Sequence, residues 1–189
     1  KTRYVRDAIM TAPPSCTLRP ARSGDTAFLF RLYASTRANE MAGTGWPAAQ
    51  QEAFLRSQFA ARSRDYAANY PRAAHQIVLV GRAPAGALIV DRAAEEIRVV
   101  DIALLPAQRG KGIGRRLLGG LIAEAGTAGR PLRLQVLKTN RAARLYAQLG
   151  FTPAGEDGLY LKMEWRAGRQ APLAGAGGMG GAGAPKKFD

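Results

Sequence analysis

Apolar side chains recur at Ile113, Leu117, Leu118, Leu121, Ile122 and Ala125 with the three- and four-residue spacing of a helix buried along one face, and Gly126 and Gly129 close the run. Two helices are expected earlier in the chain. The first spans 25–37, carries Phe28, Leu29, Leu32 and Tyr33 on one face, and takes Ser23 or Asp25 as its cap. Pro47 opens the second, whose stripe is Phe54, Leu55 and Phe59, and Pro71 limits it. Short apolar runs at 17–19, 76–80, 85–90, 97–105 and 132–137 read as strands, with turn chemistry at 85–86 and 91–96. A last helix at 141–149 stops at Gly150, and 151–153 with 159–165 form a closing antiparallel pair. Two helices ahead of the main run of strands and two interleaved after it predict an α/β (α+β) domain with a mixed sheet.

At 189 residues and 47% hydrophobic, the chain suits one domain with a substantial core. The expected layout is a flexible extension at 1–16, a folded domain at 17–166 and a flexible tail at 167–189, where seven Gly and six Ala leave little to bury. Met10 reads as a native start, with 1–9 preceding it. No stretch reaches the 18 or so apolar residues of a membrane span, and no secretory layout opens the chain, so a cytoplasmic location is expected. A lone Cys16 and a lone His75 exclude an intrachain disulfide and a Cys/His metal cluster.

The net charge is +14, of which +10 falls within 17–166, where 22 bases meet 12 acids. Such a balance attracts polyanions. The abundance of Ala, Arg and Gly fits an Arg-rich proteome equally well, and no nucleic-acid-binding motif or aromatic-interleaved basic stripe accompanies the charge.

Candidate chemistry concentrates at Arg109-Gly110-Lys111-Gly112-Ile113-Gly114, between the strand at 97–105 and the most regular helix. Three glycines let backbone N–H groups approach an anion, and the helix start adds unpaired donors and the positive end of its dipole. A dinucleotide-binding fold requires its third glycine where Leu117 stands, and a phosphate loop of the Walker kind requires Ser or Thr where Gly112 stands. What fits is Arg109-x-x-Gly112-x-Gly114 followed by Asn140-x5-Tyr146-x3-Gly150-Phe151.

With these two segments the chain resembles the GNAT superfamily of acetyl-CoA-dependent N-acetyltransferases, over about 17–166 and most strongly over 97–165. The resemblance implies a GNAT-like, mostly antiparallel sheet of six to seven strands with about four helices and a splayed central parallel pair. It also implies acetyl-CoA as cosubstrate without a metal, and direct attack by a primary amine within a ternary complex. Coenzyme contacts would come from Leu104 and Leu105, whose main chain would pair with pantetheine, from Arg109, Gly110, Lys111, Gly112, Ile113, Gly114 and Arg115 at the pyrophosphate, and from Asn140, which also suits a helix cap. Arg116 is an alternative to Arg115 as a source of charge. Tyr146 would be the general acid that protonates the departing thiolate.

Relatives that acetylate protein N-termini carry a glutamate where this chain has Gln135, which cannot take a proton. Asp101 is then the candidate base, with Glu95 and Glu96 behind it. Glu40 and Trp46, expected in a loop between the first two helices, would line the acceptor pocket. The acceptor itself is left open, as is the choice between monomer and homodimer. Two rival readings are a catalytically silent acyl-CoA-binding domain and a basic nucleic-acid-associated module.

Overall fold

Seven strands form one sheet: β1 (Cys16–Pro20), β2 (Ala74–Val80), β3 (Ala83–Arg92), β4 (Ile97–Leu104), β5 (Leu132–Leu137), β6 (Thr152–Asp157) and β7 (Tyr160–Trp165). This computed structural model describes residues 15–168; residues 1–14, with the expected start at Met10, and the tail from 169 lie outside the described residues. The strand order is β1-β2-β3-β4-β5-β7-β6, and every neighbouring pair is antiparallel except β4 with β5. Four helices, α1 (Thr26–Ala42), α2 (Ala48–Asn69), α3 (Ile113–Thr127) and α4 (Ala142–Gln148), complete the expected mixed α/β, GNAT-like fold.

Strand alternation divides the core. Val78, Leu88, Val90, Ile97, Val99, Leu132, Leu134 and Val136 pack with α3 residues Ile113, Leu117, Leu118 and Leu121 and with Tyr146 and Phe151. Tyr33, Met41 and Leu55, backed by Phe30 and Phe59, form a separate cluster between α1 and α2, and α1 lies against β3 and β4.

The parallel ladder of β4 and β5 is short. It joins Ile97 to Leu132, Arg98 to Arg133 and Val99 to Leu134, and then stops. Past that point β4 stays with β3 as far as Leu104, and β5 stays with β7 as far as Leu137, so the two strands diverge. A bulge accompanies the opening: Val90 faces Val99 while Ile89 faces Asp101, which leaves Val100 as an extra residue. Bulges bend a strand and increase its twist. Gly86 lets β3 follow the bent strand, since a Cβ there would lie 2.3 Å from the Ala103 carbonyl oxygen and 2.6 Å from the Leu104 side chain.

Several boundaries differ from the sequence expectation. β1 begins at Cys16, within the expected extension, because Cys16 pairs with Val80. α1 continues past 37 to Ala42, held by buried Met41 and an Arg37–Glu40 ion pair. No Ser23 or Asp25 side chain caps α1; a short 3-10 turn precedes it, and Asp25 instead accepts the Arg22 amide at 2.8 Å and pairs with Arg19 at 2.7 Å. β6 extends to Asp157 because Gly155 carries it across a second irregularity in the ladder with β7.

Candidate active site

At one end of the gap between the diverging ends of β4 and β5 lies the glycine-rich connection to α3. After a 3-10 turn at Pro106–Gln108, Gly110 and Gly112 adopt φ of +75° and +79°, a left-handed conformation that disfavours side chains with a Cβ. These turns deliver the chain into α3, where the Arg116 amide bonds to the Gly112 carbonyl at 3.0 Å. The amides of Ile113, Gly114 and Arg115 precede that first helical bond, and no side chain caps them. They sit at the positive end of a 15-residue helix.

Basic side chains surround this end in different ways. Arg109 donates Nε to the Leu104 carbonyl at 2.9 Å, Lys111 reaches Gln108 at 3.4 Å, and Arg115 donates to Gln148 at 2.7 Å, bridging α3 to α4. Arg116 lines a different hollow, with Cys16, Leu18, Gln76 and Leu88. α4 begins at Ala142 with Arg141 in the N-cap position, one residue later than Asn140, whose side chain accepts the Ala142 amide at 2.9 Å. Asn140 also lines an open hollow of 590 Å³ with Lys138, Arg141 and Arg144.

Hydrogen-bond alternation decides which β4 amides face the cleft. The Leu105 amide donates to the Ala85 carbonyl at 2.9 Å, so Leu105 and, two residues back, Ala103 are bonded toward β3. Leu105 therefore cannot offer its N–H to pantetheine, a correction to the sequence expectation. Leu104 and Ile102 point their main-chain groups to the open edge. Ile102 was not among the sequence candidates, because without the register nothing marks it.

At the other end, Asp101 stands in a cross-strand row with Ile89 and His75, on the face opposite Leu88 and Val90. Its carboxylate forms an ion pair with Arg62, from α2. Burial pushes the Asp101 carboxyl above the usual range, opposed by Arg62, the Ile102 amide and the nearby His75. Arg62 is itself fixed: Nε donates to the Tyr66 hydroxyl at 3.0 Å, and the guanidinium lies 5.2 Å from the Tyr33 ring centre and 5.0 Å from that of Tyr66. Burial raises the Tyr66 phenol, and the Asp101 charge adds to the rise.

Tyr146 enters from the other layer. Buried on α4, with its ring 5.8 Å from that of Phe151, it has its phenol pushed up to about 12, first by burial and then by the Asp101 charge. Two sequence candidates thus come together electrostatically from opposite sides of the splayed strands. Gln135, on β5, is exposed and pairs with Lys162 across the ladder.

Other candidates lie elsewhere. Glu40 is on α1 rather than in a loop, exposed and paired with Arg37 at 2.9 Å. Trp46 does lie in the connection between α1 and α2, 37% exposed, with its ring edge-on to Phe54 at 5.5 Å. Glu96 is taken by Arg98 at 2.7 Å and Arg133 at 2.5 Å, while Glu95 sits exposed in the turn between β3 and β4. Sequence reasoning missed Arg62 and Tyr66. The signal was present, since the inward face of α2 reads Leu55, Phe59, Arg62, Tyr66 at i, i+4, i+7 and i+11, an arginine inside an apolar stripe.

Residues 72–153 match the family model of the acetyltransferase (GNAT) domain. The fold is similar to the PaiA N-acetyltransferase of Thermoplasma acidophilum in complex with coenzyme A, at 18% identity and TM-score 0.62, over 80% of this chain and 99% of that one. It is also similar to a structure described as histone acetyltransferase HPA2 and related acetyltransferase from Corynebacterium glutamicum, at 24% identity and TM-score 0.58, over 85% and 99%. A third is the ribosomal-protein-S18-alanine N-acetyltransferase of Escherichia coli, at 20% identity and TM-score 0.54, over 86% and 99%. No curated protein matches the chain by sequence. The acetyltransferase (GNAT) family model thus matches 72–153, and the fold of the whole described domain is similar to that of these acetyltransferase structures.

Proposed function

We propose that the protein transfers the acetyl group of acetyl-CoA to a primary amine by direct attack in the β4/β5 cleft. The observation that carries this reading is the cleft itself, which joins uncapped helix amides at one end to Asp101 and Tyr146 at the other. The pyrophosphate would lie on the amides of Ile113, Gly114 and Arg115, with charge from Arg109 and Lys111. Pantetheine would follow the open edge of β4 beside the Leu104 amide and the Ile102 carbonyl, since Arg109 holds the Leu104 carbonyl and Asp101 the Ile102 amide. Nitrogen attacks the thioester carbonyl, the new C–N bond forms as the C–S bond breaks, Asp101 takes the amine proton and Tyr146 gives its proton to the departing sulfur.

The raised phenol is compatible with that role. Transfer from a group near 12 to a thiolate of about 8.5 runs uphill by about 5 kcal/mol. A turnover of about 10 per second corresponds to a barrier of about 16 kcal/mol, which accommodates it. The order of events also helps. Once Asp101 is neutralised by the amine proton, one of the two causes that raise Tyr146 disappears, so the base step makes the acid stronger.

Arg62 is the observation that favours the rival, a domain that binds acyl-CoA without turnover, because a carboxylate held by a guanidinium is a weaker base. One experiment separates the two: acetyl-CoA with a panel of amines, reading free thiol, beside calorimetry of coenzyme binding. Thiol release that depends on an amine establishes transfer, whereas binding without release on every amine establishes the silent domain.

A further inference from the structure

We infer that Arg62 and Asp101 together form the recognition pair of the acceptor site, selecting an amine that carries a carboxylate on the adjacent carbon, as in a free α-amino acid. The inference rests on the acetyl-transfer reading above and names its substrate class.

The two side chains present opposite charges side by side, the Asp101 charge is felt at Tyr146, and both side chains are partly open to solvent, at 27% and 23% of their surface. A guanidinium has five N–H donors. Arg62 spends one on Tyr66 and one on Asp101, which leaves three, both of those on Nη1 among them, without a protein partner among the described residues. No buried polar side-chain atom among the described residues lacks a partner, so the unpartnered Nη1 of Arg62 is open to solvent.

Arg62 is also preorganised. Tyr33 from α1 and Tyr66 from α2 both lie against the guanidinium, and the Tyr66 hydroxyl accepts from Nε, so rotamer freedom left to be lost on binding an anion is reduced. A carboxylate on the free end of Arg62 would leave the neighbouring ammonium beside Asp101, so that each charge faces an opposite one. That placement puts the nitrogen against the group proposed to take its proton. A polyamine would bring positive charge to Arg62 with nothing to offset it, and an amide or ester would leave the spare donors facing a neutral carbonyl.

The test uses the full-length protein, acetyl-CoA and matched trios: alanine, leucine and phenylalanine, each with its carboxamide and its decarboxylated amine, plus spermidine and a peptide with a free N-terminus. The expected result is a kcat/KM for one or more amino acids about 10- to 100-fold above that of the matching amide and amine. Arg62→Met is expected to erase that ratio and Arg62→Lys to restore part of it. A merely structural role for Arg62 would lower all acceptors alike and leave the ratio unchanged, a result that overturns the inference. Amides, decarboxylated amines or spermidine reacting as fast as the amino acids would overturn it too, while leaving acetyl transfer intact. No thiol release on any member, with coenzyme bound by calorimetry, would overturn both readings.

Discussion

Asp101 is pulled in two directions, upward by burial and downward by Arg62, and burial prevails. As a base it acts only when ionised, so its contribution to kcat/KM grows as pH rises through a value above the usual carboxylate range. Asp101→Asn is expected to remove that acidic limb, although the ionisation of the free amine imposes a further rise at higher pH. A variant that keeps both rate and pH profile points to proton loss through water. Tyr146 supplies the complementary test. With its phenol near 12 it stays protonated throughout the working range, so no alkaline limb below about pH 11 is assigned to it. Tyr146→Phe keeps the ring against Phe151 and is expected to lower kcat about 100-fold with coenzyme affinity unchanged. Full kcat on an acceptor whose chemical step is rate-limiting would remove the acid assignment.

Between elements, the cleft depends on how β3 follows β4 around the bulge. Gly86→Ala would force a Cβ onto the Ala103 carbonyl at 2.3 Å, and backbone cannot yield there as a flexible side chain would. The expected outcome is a lower Tm together with a loss of kcat/KM larger than that of an alanine substitution at Gly24, where a Cβ meets nothing within 4 Å. Equal effects at the two sites would mean that strand spacing does not set the cleft. A second device ties β1 to α1: the Arg19 guanidinium and the Arg22 amide lower Asp25 to about 2. A carboxyl depressed on folding stabilises fully above its unfolded value near 4 and loses that effect as pH falls toward 2. Asp25→Asn is thus expected to lower Tm at neutral pH, with the difference from the parent shrinking below about pH 4 and vanishing as pH falls through about 2. The same scale shows where sequence reading succeeds and fails. α3 was legible because its buried face repeats locally at Ile113, Leu117, Leu118 and Leu121. Phe54 was placed on the α2 stripe, yet it is 39% exposed against Trp46, and Arg62 holds an inward position instead, its partner Asp101 lying 39 residues away. Periodicity reports which face is inward, but only tertiary pairing reveals that a charge is wanted there.

For the molecule as a whole, the succession of elements along the chain was readable from turn chemistry and apolar runs, while the splay was known only through resemblance. Its physical origin, a bulge at Val100 and a parallel ladder of three residue pairs, is a matter of register that no local pattern encodes. If the cleft holds acetyl-CoA, binding must stabilise the entire fold by mass action. A ligand at about 100 times its Kd adds about 2.7 kcal/mol. For a chain of this size each kcal/mol moves Tm by about 2–4 °C, so a rise of roughly 5–10 °C is expected on saturation with coenzyme A. Gly112→Val tests where that energy originates. The free variant is expected to melt lower, because Gly112 sits at φ +79° and a β-branched residue is strained there. The informative quantity is therefore the coenzyme-induced rise, which should shrink to near zero as the loop loses its approach to the pyrophosphate. An undiminished rise in a folded Gly112→Val protein would place the anion site elsewhere and remove the basis for reading the cleft as a coenzyme channel.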